Sequence, residues 1–303
     1  MPLADLTAAL QSGAVSVCHQ PVFIIGSPRS GTTALARALA EHPDLWTSHE
    51  SYFLNGLFGD GRASHVHTRQ TGRKAPGWLN TEQVDRAEFL AYVGVGLNAL
   101  FTSRSGGRRW IDQTPLYTVF AEALAELFPD ALFLHIVRDG RRVVNSMASF
   151  LDKFTHRPEA VRHVPGWATD FSEACRTWTD YVAHADALCD ARPTRSLTVV
   201  NEQLSEDPAR GFAAILRFLG VPPSPAPAEA FGSTRINSSY GRDADHAVAR
   251  AQAWDAWTPE QRAVFMGEAG ATMVRMGLAD PSELRRWAAA APPARRPAEE
   301  ARA

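Results

Sequence analysis

Eight consecutive residues, Gly26-Ser27-Pro28-Arg29-Ser30-Gly31-Thr32-Thr33, are of the types that hold an anion. Glycines let a backbone turn its N–H groups inward, hydroxyls add donors, and a helix that follows contributes the positive end of its dipole. The two glycines keep the frame of a phosphate-binding loop, but Thr32 stands where GxxxxGK[ST] needs the lysine that reaches the outer phosphates of a nucleoside triphosphate. That omission weighs against an ordinary ATPase or kinase. Arg29 supplies instead a permanent charge with a fork of donors, suited to a phosphate or sulfate oxygen. A second arginine, Arg138, opens Arg138-Asp139-Gly140, and Ser146 follows it eight residues later. Between the two arginines, His49 and Glu50 are candidate proton acceptors.

Such residues act together only if the fold brings them to one edge. Val22-Phe23-Ile24-Ile25 is a short continuous apolar run, the pattern of a strand buried on both faces. Thr32–Glu41 carries Leu35 and Leu39 at helical spacing and stops at His42-Pro43, so the order is strand, loop, helix. The pattern recurs: a strand near Leu45–Ser48, a helix over Pro115–Phe128, the strand Leu132–Val137 closing on Arg138, and helices over 141–151 and 168–190. The strand Ser196–Val200 and the helix Pro208–Leu219 follow. Alternation of this kind predicts an α/β, P-loop-containing, three-layer fold, a central parallel sheet flanked by helices. Ligands of such sheets bind at the C-terminal ends of the strands, where Arg29 and Arg138 are expected to emerge. Residues 1–20, with Leu3, Leu6 and Leu10 about a turn apart, read as an N-terminal arm, 21–287 as the catalytic domain and 288–303 as a disordered tail. Residues 55–80 read as loops or a lid over a site. Trp254 and Trp257 read as anchors for two C-terminal helices.

Composition removes other classes. With 303 residues, 45% of them hydrophobic, the chain buries a sizeable core. A formal charge of -2 gives no basic field for a nucleic-acid backbone. Cys18, Cys175 and Cys189 have neither an even count nor CxxC spacing, and His65-Val66-His67 has no ligand partner at matching spacing, so no metal site is expected and the histidines read as a solvated loop. No apolar run approaches the roughly 18 residues of a membrane span. A cytoplasmic protein without nucleic-acid partners or a membrane span is expected.

The stretch PVFIIGSPRSGTTALARALAEHPDL resembles the 5'-phosphosulfate loop, with its strand and helix, of sulfotransferases that use 3'-phosphoadenosine 5'-phosphosulfate (PAPS), in the form seen in tyrosylprotein sulfotransferases and bacterial relatives. LHIVRDGRRVVNSM, residues 134–147, is similar to that family's 3'-phosphate site. Thr198–Leu204, then Asp207-Pro208 and Ile215–Val221, is similar to its later strand and the helix ending in FLG. The resemblance spans about residues 20 to 280. It implies PAPS as sulfuryl donor and adenosine 3',5'-bisphosphate (PAP) as product, with no metal. Ser30, Gly31, Thr32 and Thr33 with the loop amides would hold the 5'-phosphate, Arg138 and Ser146 the 3'-phosphate, and Ser238 or Ser239 a loop over the nucleotide. Arg29 would stabilise charge on the bridging oxygen, and Glu50, 21 residues beyond it, would be the general base, with His49 as rival. Gln113 occupies the position of a family lysine and carries no charge. The acceptor is expected to be a small-molecule hydroxyl, on a natural product or lipid. The alternatives are a P-loop kinase of a small alcohol or nucleoside, an arylsulfate donor, or a non-catalytic nucleotide-binding module.

Overall fold

A computed structural model describes residues 12–13, 15–59, 62–72, 77–151, 164–233 and 253–290. The expectations for the arm before residue 12, for Ser238 and Ser239, and for the end of the chain beyond 290 fall outside these residues. The chain divides into two compact units, one drawn from 1–137 and 180–237, the other from 138–179 and 238–303.

The first unit holds the whole sheet: β1 (Val22–Ile25), β2 (Leu45–Thr47), β3 (Arg109–Asp112), β4 (Leu132–Val137) and β5 (Ser196–Val200), in the order β2-β3-β1-β4-β5. All pairings are parallel, with Val22 opposite both Ile111 and Leu132 and Val137 opposite Val200. Phe23 and Ile25 point into one core with Phe133, Leu124, Leu127 and Leu188, whereas Val22 and Ile24 point into another with Leu35, Leu39, Ile215 and Leu216. Helices therefore cover both faces, and the three-layer expectation holds. From β1 the chain crosses to β2 on one side, and from β4 it crosses to β5 on the other. The crevice outside the C-terminal ends of β1 and β4 is thus the topological switch point of the sheet.

β3 is absent from the sequence reading. Only Trp110 and Ile111 in it are apolar; pairing with both β1 and β2 makes it a strand. Its anchor is Asn98, buried on the helix Arg86–Ser105. Asn98 Oδ1 accepts from Trp110 Nε1 at 3.0 Å and from the Cys18 backbone N–H at 2.9 Å, and its Nδ2 donates to the Cys18 carbonyl at 2.9 Å. An unsatisfied buried polar group costs about 1–3 kcal/mol. Asn98→Ala strands three, so a loss of about 3 kcal/mol or more is expected, read as a lower urea midpoint.

The 55–80 region is largely helical rather than looped: Phe53–Phe58, Arg62–Thr71 and Trp78–Thr81. The middle helix is polar, and what ties it down is a histidine instead of an apolar stripe. His67 is buried, its ring lies 5.8 Å from that of Phe89, and its Nε2 is 3.0 Å from the Val84 carbonyl oxygen. His67 is therefore not solvated, and apolar periodicity had nothing to report.

In the second unit Asp139 caps the helix Gly140–Ala148 and chelates the buried Arg141 guanidinium, with Arg141 Nη2 donating to Asp139 Oδ2 at 2.6 Å. Arg141 lies over the rings of Trp254 and Trp287, each at 5.7 Å. Trp257 packs on Phe171, Phe265 and Trp287, so both tryptophans sit in the packing of the helices Pro259–Arg275 and Pro281–Ala289.

Candidate active site

β1 ends at Ile25, and the chain passes at once into the loop 26–31 and the helix Thr32–Leu39. Gly26 has φ +147°, and a Cβ there would lie 2.3 Å from the Ile136 carbonyl oxygen of β4. Gly31 has φ +103°, and a Cβ there would meet Asn201 Nδ2 at 2.5 Å, the same atom that donates to the Ser30 carbonyl at 3.1 Å. Both positions thus demand glycine on two counts, backbone conformation and space. Thr118 clamps the loop's start, Gly26 N–H donating to Thr118 Oγ1 at 2.9 Å. The loop is thereby fixed from β4, from the 3-10 turn Pro115–Phe120 and from the segment after β5.

Within this frame Arg29 adopts φ +73°, which side-chain-bearing residues seldom do. The Ser30 hydroxyl is buried and has no hydrogen-bond partner among the described residues. An orphaned donor in a glycine-framed loop at a helix N-terminus fits an anion's oxygen.

Glu50 lies on the segment after β2, half-buried, while its neighbour His49 is exposed. Burial pushes the Glu50 carboxyl above its ordinary value; the Tyr52 hydroxyl draws it down, the charge of Asp112 pushes it up, and the Arg29 guanidinium draws it down. The electrostatic influence of Arg29 ties Glu50 to the phosphate loop. Tyr52 Oη–H donates to Glu50 Oε2.

Beneath Glu50 is a network that the sequence reading missed. Ser51 Oγ–H donates to the buried Asp112 Oδ2 at 2.6 Å, and Thr114 N–H donates to Asp112 Oδ1 at 2.8 Å. Ser51 N–H in turn donates to Thr114 Oγ1 at 2.9 Å. With the Ser51 proton used on Asp112, the Tyr117 hydroxyl donates to Ser51 Oγ at 2.7 Å and accepts from Leu54 N–H at 3.1 Å. Burial above all pushes the Tyr117 phenol up to about 12, so it remains a donor. The residue following Glu50 is therefore bolted to the end of β3. The only hint in the sequence is an aspartate closing a short apolar pair.

With this geometry in place, the model of the Sulfotransferase family matches residues 21–225. The chain belongs to the sulfotransferase family. It is 28% identical over 223 residues to nodulation protein NoeE of Sinorhizobium fredii, covering 67% of this chain and 50% of that protein. It is 28% identical over 202 residues to protein-tyrosine sulfotransferase 2 of Gallus gallus, covering 66% and 51%. The chain thus spans about half the length of these relatives. The solved sulfotransferase domain of the Synechococcus PCC 7002 olefin synthase superposes with a TM-score of 0.51 at 22% identity, covering 80% of this chain and 90% of that one, a likeness of fold.

Within the first unit, Arg29, Ser30 and Gly31 lie on the loop after β1, Thr32 and Thr33 open the helix that follows it, and Glu50 lies on the segment after β2. Arg138 and Ser146 belong to the second. Arg138 is the first residue after β4, half-buried, with its carbonyl accepting from Trp178 Nε1 at 3.2 Å; Ser146 is half-buried on the helix Gly140–Ala148. Gln113 is only 3% exposed, and its Nε2 donates to the Ser48 carbonyl at 3.0 Å, so its amide braces the end of β2. Among the described residues no helix is long and apolar enough to cross a membrane.

Proposed function

We propose that the chain transfers a sulfuryl group in line from PAPS to a hydroxyl of a small apolar acceptor, releasing PAP. The observation that carries this reading is the glycine-framed loop after β1, with its orphaned Ser30 hydroxyl and its Arg29. Its residues suit the donor: the loop amides with Ser30, Gly31, Thr32 and Thr33 would receive the 5'-phosphate, and Arg138 and Ser146 the 3'-phosphate. Ser238 or Ser239 would close over the nucleotide. The donor supplies a sulfuryl group already activated by its phosphate anhydride. Arg29 would meet the charge that grows on the bridging oxygen. Glu50 would take the acceptor's proton; its half-buried position and its link to Arg29 support it over the exposed His49. Tyr52, Phe53 and Leu57, all exposed directly after Glu50, support an apolar acceptor such as a lipid or natural-product scaffold.

Calorimetric titration with PAP, and separately with ATP plus magnesium, tests the donor. Tight PAP binding is expected, with Arg138→Ala weakening it by about 10-fold or more, the worth of a charge-assisted contact. Equal affinity for ADP, which lacks the 3'-phosphate, would overturn the donor assignment. Turnover of an arylsulfate without any nucleotide would assign the alternative donor.

A further inference from the structure

We propose that Tyr52 is an acceptor in cis: with the donor bound and no other acceptor present, the chain sulfates its own Tyr52 hydroxyl. The proposal rests on the reading of Glu50 as base and PAPS as donor. It comes from a hydroxyl that is hydrogen-bonded to the proposed base. A general base is recognised by hydrogen-bond reach to the proton it takes, and the proton lying on Glu50 in this structure is that of the Tyr52 phenol.

Two further observations fit. Tyr52 holds φ +52°, a conformation seldom taken by residues with side chains, and in it the ring folds back over the two-residue span to Glu50. Tyr52 as a whole is 56% exposed, although its hydroxyl end is partly buried against Glu50. The remaining described tyrosines do not share this placement. Tyr117 is buried, with its hydroxyl committed to Ser51 and to the Leu54 N–H. Tyr92 is exposed but lines a groove with Cys18 and Pro129, which precede β1 and β4 at the strand ends opposite the phosphate loop. Tyr181 is half-buried on the helix Phe171–Ala191.

The step balances without an added reagent. The Tyr52 phenolic oxygen forms a bond to the donor's sulfur as the bond from sulfur to the bridging 5'-phosphate oxygen breaks. The electron pair of that bond leaves with PAP, the phenolic proton passes to Glu50, and no atom changes oxidation state. The phenol resists early ionisation: burial first, then the Glu50 hydrogen bond and charge, hold Tyr52 above its ordinary value. The proton therefore moves with the transfer. Being tethered to the base, Tyr52 competes with free acceptors at a high effective concentration.

The test is to incubate the full chain with PAPS alone and follow its intact mass, then map the modified peptide. A gain of one sulfuryl group on the peptide carrying Tyr52 is expected, at a rate independent of protein concentration. Tyr52→Phe abolishes it, Glu50→Gln slows it by about 100-fold or more, and Tyr92→Phe leaves it intact. A gain elsewhere, or a rate rising with protein concentration, overturns the proposal. PAP binding by calorimetry without any mass gain overturns it while the functional reading stands; failure to bind PAP overturns both. A donor-free measurement checks the contact itself. In ultraviolet titration the difference between wild type and Tyr52→Phe should show a phenol ionising above the ordinary tyrosine value, and Glu50→Gln should lower it.

Discussion

Glu50→Gln lowers kcat for sulfuryl transfer by about 100- to 10,000-fold, the usual worth of a general base, while PAP affinity is unchanged. The glutamine carbonyl oxygen still accepts from Tyr52, but the amide takes no proton. In the wild type, burial holds the Glu50 carboxyl above its ordinary value, with Asp112 adding to the rise and Arg29 opposing it. Only the ionised form takes a proton, so kcat/KM falls on the acid side as pH drops through that raised value, above the ordinary carboxylate range. For folding the sign is opposite. Protonation favours the folded state, so the stability this carboxyl contributes is complete at low pH and is lost as pH rises through the folded value. Glu50→Gln at neutral pH is therefore expected to be at least as stable as the wild type. A variant with near-normal turnover would move the base role to His49 or another group; one that loses turnover together with its thermal transition would have lost structure instead.

How far the sequence speaks depends on what holds each element. β4 is where the apolar run Leu132–Val137 puts it, because a parallel strand covered on both faces leaves a nearly continuous apolar signature. The phosphate loop is legible because Gly26 and Gly31 are imposed by backbone geometry and a close neighbour, constraints that leave glycine in the text. β3 leaves no such trace, since two flanking strands make it a strand. The helix Arg62–Thr71 is held by His67, a residue type that no hydrophobic period counts. The network under Glu50 joins residues more than sixty positions apart, Ser51 to Asp112 and Tyr117, and such pairings exist only once β2 and β3 lie side by side. Tyr52 is hidden for a related reason. Its positive φ falls on a tyrosine, so the usual glycine marker is missing.

Arg29 raises the same question about a loop that was legible, and Arg29→Gly answers it. A non-glycine residue at φ +73° costs on the order of 1–3 kcal/mol, and it persists only where surrounding structure imposes it. Glycine removes that cost but loosens the unfolded chain by about 0.4–1 kcal/mol, so the thermal transition should stay level or rise. Turnover, however, should fall by about 100- to 1,000-fold, as expected when a preorganised donor is withdrawn from developing charge. Arg29→Lys separates charge from geometry: it keeps a cation and the unfavourable backbone but loses the planar fork, so it should be less active than wild type and no more stable. Stability and activity moving in opposite directions in Arg29→Gly would mean that the loop holds its arginine in a costly conformation for the sake of the guanidinium. If both fell together, Arg29 would be a brace of the fold, and the charge facing the donor would have to come from elsewhere.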